Sequence, residues 1–159
     1  MGRKPRWKRA ERIEREASFE LKAGAAGIFP LLCPVKEYDW IPDWRCTMVY
    51  SNSGVAEKDA VFHTRELFGR RTVWCCINYE PPTLVEYLLV LGATGVVRLS
   101  IRLEETPIGS TRVTWTMRFT VAALMSHFAA KVTSREGFDA MMAGRRRELE
   151  EYLARKGEA

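Results

Sequence analysis

From Ile13 onward the chain alternates. Ile13, Ala17, Phe19 and Leu21 occupy odd positions with mostly charged residues between them, a period of two that predicts a half-buried strand. Residues 23–32 are small and apolar, and Pro30 limits them to a short or broken helix. Residues 35–40, set between Pro34 and Pro42, predict a second short helix. Alternation then returns. Trp44, Cys46, Met48 and Tyr50 interleave with Arg45, Thr47 and Val49 until Asn52-Ser53-Gly54 turns the chain. Further strands are predicted over 60–67, 72–80 and 84–91, divided by Gly69, by Pro81-Pro82 and by Gly92 with Gly95. Val97, Leu99, Ile101 and Leu103 alternate with Arg98, Ser100, Arg102 and Glu104. Val113, Trp115, Met117, Phe119 and Val121 alternate with Thr114, Thr116, Arg118 and Thr120. In the fourth strand the parity stays open: Val73, Cys75, Ile77 and Tyr79 form one set, which leaves Trp74 on the other.

The last segment has a helical period. Thr133 and Glu136 have the spacing of a capping box. Phe138, Met141, Met142, Leu149, Tyr152 and Leu153 form one apolar stripe beyond it. Strands joined by short turns predict an antiparallel sheet, because parallel neighbours need long crossovers. The last two strands have an apolar face and a Thr/Arg face, so one side of the sheet is core and the other is wet. The C-terminal helix is the only element long enough to cover the core side. The pattern predicts an α+β fold: a curved antiparallel sheet of about seven strands wrapped around a long C-terminal helix, with two short helices after strand one.

A chain of 159 residues is the size of one domain. We expect that domain over 13–156, behind a basic N-terminal arm over 1–12. The formal net charge of +5 belongs to that end: residues 1–15 hold seven Arg or Lys against two Glu, and the remainder balances. Such an arm suits phosphates, an anionic membrane surface or a partner chain, or serves as a solubilising terminus. The neutral body argues against a large nucleic-acid footprint. Cys33, Cys46, Cys75 and Cys76 show no CxxC and no zinc spacing, so no metal and no cofactor are expected. Without a secretory signal these cysteines predict a reducing cytoplasm. The longest apolar run is too short to span a bilayer, and the expected state is a monomer or homodimer.

Local sequence sharpens the fold reading. The run Phe29-Pro-Leu-Leu-Cys-Pro-Val-Lys-Glu-Tyr-Asp-Trp-Ile-Pro-Asp-Trp44, the segment Tyr50-Ser-Asn-Ser-Gly-Val-Ala-Glu57 with Val61-Phe62, and Arg112-Val-Thr-Trp-Thr116 resemble three successive parts of bacterial members of the START/Bet v 1-like superfamily, also called SRPBCC or polyketide cyclase-like proteins. The resemblance covers roughly residues 13–155. It implies the helix-grip fold and a cavity between sheet and long helix, in which members hold lipids, sterols, polyketides or other apolar molecules. It implies no shared catalytic residue, and fold alone is poor evidence for chemistry.

The candidate ligand-binding residues are the large apolar side chains of the expected inner face. They are Trp44, Met48 and Tyr50, Phe62, Trp115, Met117 and Phe119 from the strands, and Phe138, Met141 and Met142 from the helix. Flat rings and flexible thioethers suit an apolar pocket, and they equally suit plain core packing. Polar candidates are fewer. His63 has parity opposite to Phe62 and should face out. Glu86 is either an inward carboxyl with a raised pKa or a rim charge. Asp39 lies in the second short helix, Arg98 falls on the wet face, and His127 precedes the long helix. Cys76 is a candidate exposed thiol with nothing basic beside it to activate it. No catalytic motif is visible. The expectation is binding or transport of an apolar or amphipathic small molecule. A polyketide cyclase or dehydratase-like enzyme is the first alternative, and an interaction protein using its basic arm is the second.

Overall fold

The computed structural model describes residues 10–65, 71–92, 95–122 and 134–157. Seven strands form one antiparallel sheet: β1 (Ala10–Leu21), β2 (Cys46–Tyr50), β3 (Val61–Arg65), β4 (Arg71–Glu80), β5 (Leu84–Val90), β6 (Gly95–Glu105) and β7 (Thr111–Ala122). Their order across the sheet is β1-β7-β6-β5-β4-β3-β2, so the two strands nearest the N-terminus sit on opposite edges. The chain crosses between those edges through α1 (Ala25–Ile28) and two 3-10 turns, Phe29–Leu32 and Glu37–Asp39. A 22-residue helix, α2 (Arg135–Lys156), closes the fold.

Alternation sorts the faces as the sequence predicts. Phe19 and Leu21 of β1, Val113, Trp115, Phe119 and Val121 of β7, Leu99, Ile101 and Leu103 of β6, and Val85 and Tyr87 of β5 are all buried. Against them α2 lays Phe138, Met142, Leu149 and Leu153. The outer face carries hydrophilic ladders, among them Arg118 donating to Glu14 at 2.6 Å and Ser18 beside Thr114 at 3.0 Å. β1 starts three residues before Ile13, since Ala10 to Arg12 pair with Ala122 to Thr120. Residues 1–9 of the basic arm lie outside the described residues.

Strand β4 has both parities at once. Its register against β5 shifts between Cys76 and Asn78. Before that bulge Thr72, Trp74 and Cys76 point inward and Val73 points out; after it Tyr79 reaches the core and meets Phe29 edge-on at 5.3 Å. One extra residue reverses which positions face in, which is why no single period fits the strand. The bulge also corrects the reading of Cys76. It is fully buried, its Sγ donates to the Asn78 carbonyl at 3.4 Å, and burial pushes its thiol up to about 12. It is not an exposed nucleophile.

The irregular segment after α1 satisfies part of its carbonyls with its own backbone, and side chains serve others. Trp40 Nε1 donates to Leu31 O at 2.8 Å, Trp44 Nε1 to Pro34 O at 2.8 Å, and the Tyr87 hydroxyl to Leu32 O at 2.9 Å. Glu105 of β6 accepts from the Ala25 N–H at 2.9 Å and starts α1. At the head of α2 the cap is Ser134, whose Oγ accepts from Gly137 N at 3.0 Å. The expected capping box shifts by one residue, so the N3 position is glycine, which has no carboxylate of its own; Thr133 lies outside the described residues. Gly157, at φ 73°, ends the helix in the left-handed conformation that glycine adopts without strain.

Gly95 opens β6 against β7 with no room to spare. A Cβ there would stand 2.4 Å from the Thr120 carbonyl oxygen and 2.9 Å from the Val121 Cα, both backbone atoms. Gly95→Ala should therefore force the two strands apart and lower stability by about 1–3 kcal/mol. Urea unfolding should give a lower midpoint at unchanged slope; an unchanged midpoint would show that the pairing yields without cost.

Candidate functional site

The inner face of the sheet, under α2 and the short-helix segment, gathers most of the expected pocket residues. Phe62 stacks on Trp74 at 5.7 Å, and both meet Tyr87 edge-on, at 5.7 and 6.4 Å. Trp74 also donates from Nε1 to Thr64 Oγ1 at 2.9 Å. Trp44, Met48 and Met117 face this cluster and stay half-buried, as Trp74 does. Phe138 and Met142 are buried, and Phe119 joins a smaller cluster with Leu89 and Val97.

Two members of the expected set lie elsewhere. Tyr50 is 54% exposed, because the register of β2 on β3 shifts between Met48 and Tyr50 and turns it outward. Its hydroxyl donates to Asn52 Oδ1 at 3.2 Å. Met141 is 38% exposed. Adjacent helical residues are about 100° apart, so with Met142 turned to the sheet Met141 is left on the flank.

The polar candidates do not enter the interior. Glu86 is on the outer face, held by Arg98 at 2.8 Å. Burial alone would raise its pKa, but the hydrogen bond and charge of Arg98, with Ser100 and Asn78, bring it below the ordinary carboxylate value. Asp39 is exposed beside Lys36 at 3.9 Å. His63 pairs between Thr47 and Val73 on the outer face. Arg98 is on the outer face as expected, and His127 lies outside the described residues.

Two polar groups were not singled out by the sequence. Trp115 is 6% exposed, and its Nε1–H, fully buried, has no hydrogen-bond partner among the described residues. Most buried polar groups are paired, so an orphaned donor calls for an explanation. The second group is Glu37, in the 3-10 turn that precedes β2. Burial pushes its carboxyl from 4.5 up to about 8, against the pull of Arg145 on α2. The carboxyl makes no hydrogen bond or ion pair among the described residues. Its charge is felt by Tyr87 on β5 and Cys46 on β2. Arg145 itself is engaged: it holds Glu148 at 2.6 Å and lies 5.9 Å from the centre of the Trp40 ring.

The described residues enclose cavities of very different size. One is a crevice of about 440 Å³ between the end of β1, the β6–β7 turn and the last turns of α2, lined by Glu20, Lys22, Ile108, Ser110, Arg146, Glu150 and Leu153. Another is a void of about 10 Å³ between Phe29, Cys33, Tyr79, Val85 and Tyr87. The expected aromatic and Met set lines neither. No group of three or more His, Cys, Asp or Glu side chains gathers into a metal site among the described residues. No helix among them is long and apolar enough to cross a membrane.

A curved antiparallel sheet gripping a C-terminal helix defines the helix-grip fold. Within it, the chain belongs to the family described as polyketide cyclase/dehydrase and lipid transport, whose model matches residues 12–154. Among solved structures it is similar to norcoclaurine synthase of Thalictrum flavum in complex with a transition-state analogue. That match has 14% identity, covers 96% of this chain and 99% of that one, and has a TM-score of 0.65. An uncharacterised protein of Rhizobium leguminosarum aligns over 94% of this chain and 99% of its own at 17% identity and TM-score 0.58. DynU16, from the dynemicin biosynthetic locus, aligns over 89% of this chain and 47% of its own at 12% identity and TM-score 0.62. A search of curated proteins by sequence finds no match.

Proposed function

We propose that the domain binds an apolar or amphipathic small molecule on the inner face of its sheet, beneath α2. The observation that carries this reading is the Trp115 N–H, buried on that face with no acceptor for its hydrogen among the described residues. A buried donor left unmade costs about 1–3 kcal/mol, and a ligand oxygen would remove that cost. Trp44, Met48, Trp74 and Met117 support it, since they face inward yet keep part of their surface accessible. The family description, with its lipid transport, fits such a site.

Native mass spectrometry of protein purified without detergent tests the reading. The expected result is an adduct of small-molecule mass that leaves on denaturation, or, for an empty protein, saturable one-to-one binding of anilinonaphthalene sulfonate. A bare chain that also fails to bind that probe would overturn it.

An enzymatic reading has a narrower basis. Glu86, His63 and Asp39 face away from the interior, so none of them supplies an acid or base there. Glu37 is the remaining candidate acid, because burial raises its carboxyl to about 8 and it keeps its proton at neutral pH. Norcoclaurine synthase, a structural neighbour, is solved in complex with dopamine and hydroxybenzaldehyde.

A further inference from the structure

We propose that the crevice between the end of β1, the β6–β7 turn and the last turns of α2 is a second binding site. It holds an aliphatic chain with one negative head, and Lys22 pairs with that head. The site lies apart from the inner face and goes beyond the reading above.

Fixed elements set its shape. Glu20 and Lys22 come from the end of β1, Ile108 and Ser110 from the β6–β7 turn, and Arg146, Glu150 and Leu153 from α2. The turn is closed by two backbone bonds, Gly109 N to Thr106 O at 3.1 Å and Thr106 N to Ser110 O at 2.8 Å. A volume of about 440 Å³ falls within the range of small-molecule pockets, roughly 300–1,000 Å³. The apolar part of the lining is aliphatic. Leu153 contributes from α2, and Ile108 stands 86% exposed at the tip of the turn. The methylene stems of Lys22 and Arg146 add to them. No aromatic ring lines the crevice among the described residues, so an alkyl chain suits it better than a flat ring system.

Charge then selects the head. Arg146 is bound to Glu150 at 2.8 Å, and Glu20 to Arg112 at 3.6 Å. The Ser110 hydroxyl is beside Thr106 Oγ1 at 2.7 Å. Glu105, at the same end of the sheet, accepts from the Ala25 N–H at 2.9 Å. Of the charged residues that line the crevice, Lys22 is the one without an ion pair among the described residues. One unpaired ammonium beside an aliphatic wall matches one anionic head on an alkyl chain. A cationic head would place a like charge beside it.

Octanoate and octylammonium, which share a chain and differ in the sign of the head, test this on the full chain by NMR titration of its amides. Octanoate should move the amides of Lys22, Ile108, Ser110, Arg146 and Glu150 together. It should bind there roughly three- to tenfold more tightly than octylammonium, and high salt should erase the preference. In Lys22→Glu the preference should reverse with the fold intact, since Lys22 is exposed. In Ile108→Ser both probes should bind more weakly. Equal affinity for the two probes at the crevice, or a preference for octanoate that survives in Lys22→Glu, would overturn the inference. Shifts confined to inner-face amides such as Tyr87 and Trp115 would overturn it and favour the inner-face reading. Octanoate that moves no amide would overturn it and leave the inner-face reading to its own test. Anilinonaphthalene sulfonate also joins an apolar body to one negative head, so its binding on the inner face is read in Lys22→Glu, where the crevice no longer favours it.

Discussion

Phe138→Ala should lower the stability of the domain by about 3–5 kcal/mol, the usual loss when a buried phenylalanine is cut back to a methyl group. Phe138 is 1% exposed and sits in the main core cluster with Tyr87, Ile101 and Trp115. The N-terminal half of α2 buries only Phe138 and Met142, while Leu149 and Leu153 hold the other end. Removing the ring therefore loosens the part of the helix that roofs the proposed site. With a total stability of about 5–15 kcal/mol, the loss takes a large share of it and should lower the melting temperature by on the order of 10 °C. Met141 is the control. It lies three residues along the same helix, yet it is exposed, so Met141→Ala should stay within about 0.5 kcal/mol of wild type. Thermal and urea melts of the two variants decide the matter: equal losses would mean that the helix does not seat on the sheet through Phe138.

The sheet and its faces were legible because strands speak in a period of two. Arg98, Arg102, Thr114 and Arg118 alternate with buried Leu99, Ile101, Val113 and Trp115, and both strands fold as that text reads. The same rule placed His63 outside from its position next to Phe62. It failed where the backbone departs from strict pairing. The register shifts at Cys76/Asn78 and at Met48/Tyr50 reverse parity within a strand, which hid the inward turn of Trp74 and Cys76 and the outward turn of Tyr50. The convergence of large apolar residues on the inner face could be read in outline, since they share one parity. The polar groups could not. Glu37 lies in a 3-10 turn, where no alternation tells inside from outside, and its surroundings come from β2, β5 and α2. The orphaned Trp115 N–H is a property of what is missing around it, and no residue pattern records that.

Glu37→Gln should leave stability nearly unchanged near pH 4.5 and raise it near pH 9. The carboxyl titrates at about 8 in the folded protein, against 4.5 for the free side chain. Between those values the folded state holds a proton that the unfolded chain has released. Stability therefore falls as pH rises across that window, and the full penalty is present above about 8. Linkage sets a ceiling of about 5 kcal/mol; because Glu37 is only half-buried, solvent screening reduces the expectation to on the order of 2–3 kcal/mol. Glu86 works the other way. Its lowered pKa gives stability that is present above its unfolded value and lost in acid, and it is common to both proteins, so it cancels in the difference between them. Urea melts of wild type and Glu37→Gln through this range isolate Glu37. A difference that grows between about pH 5 and pH 8 and then levels off shows a carboxyl that stays protonated at neutral pH. A flat difference means that water reaches the carboxyl freely and that Glu37 is ionised at neutral pH.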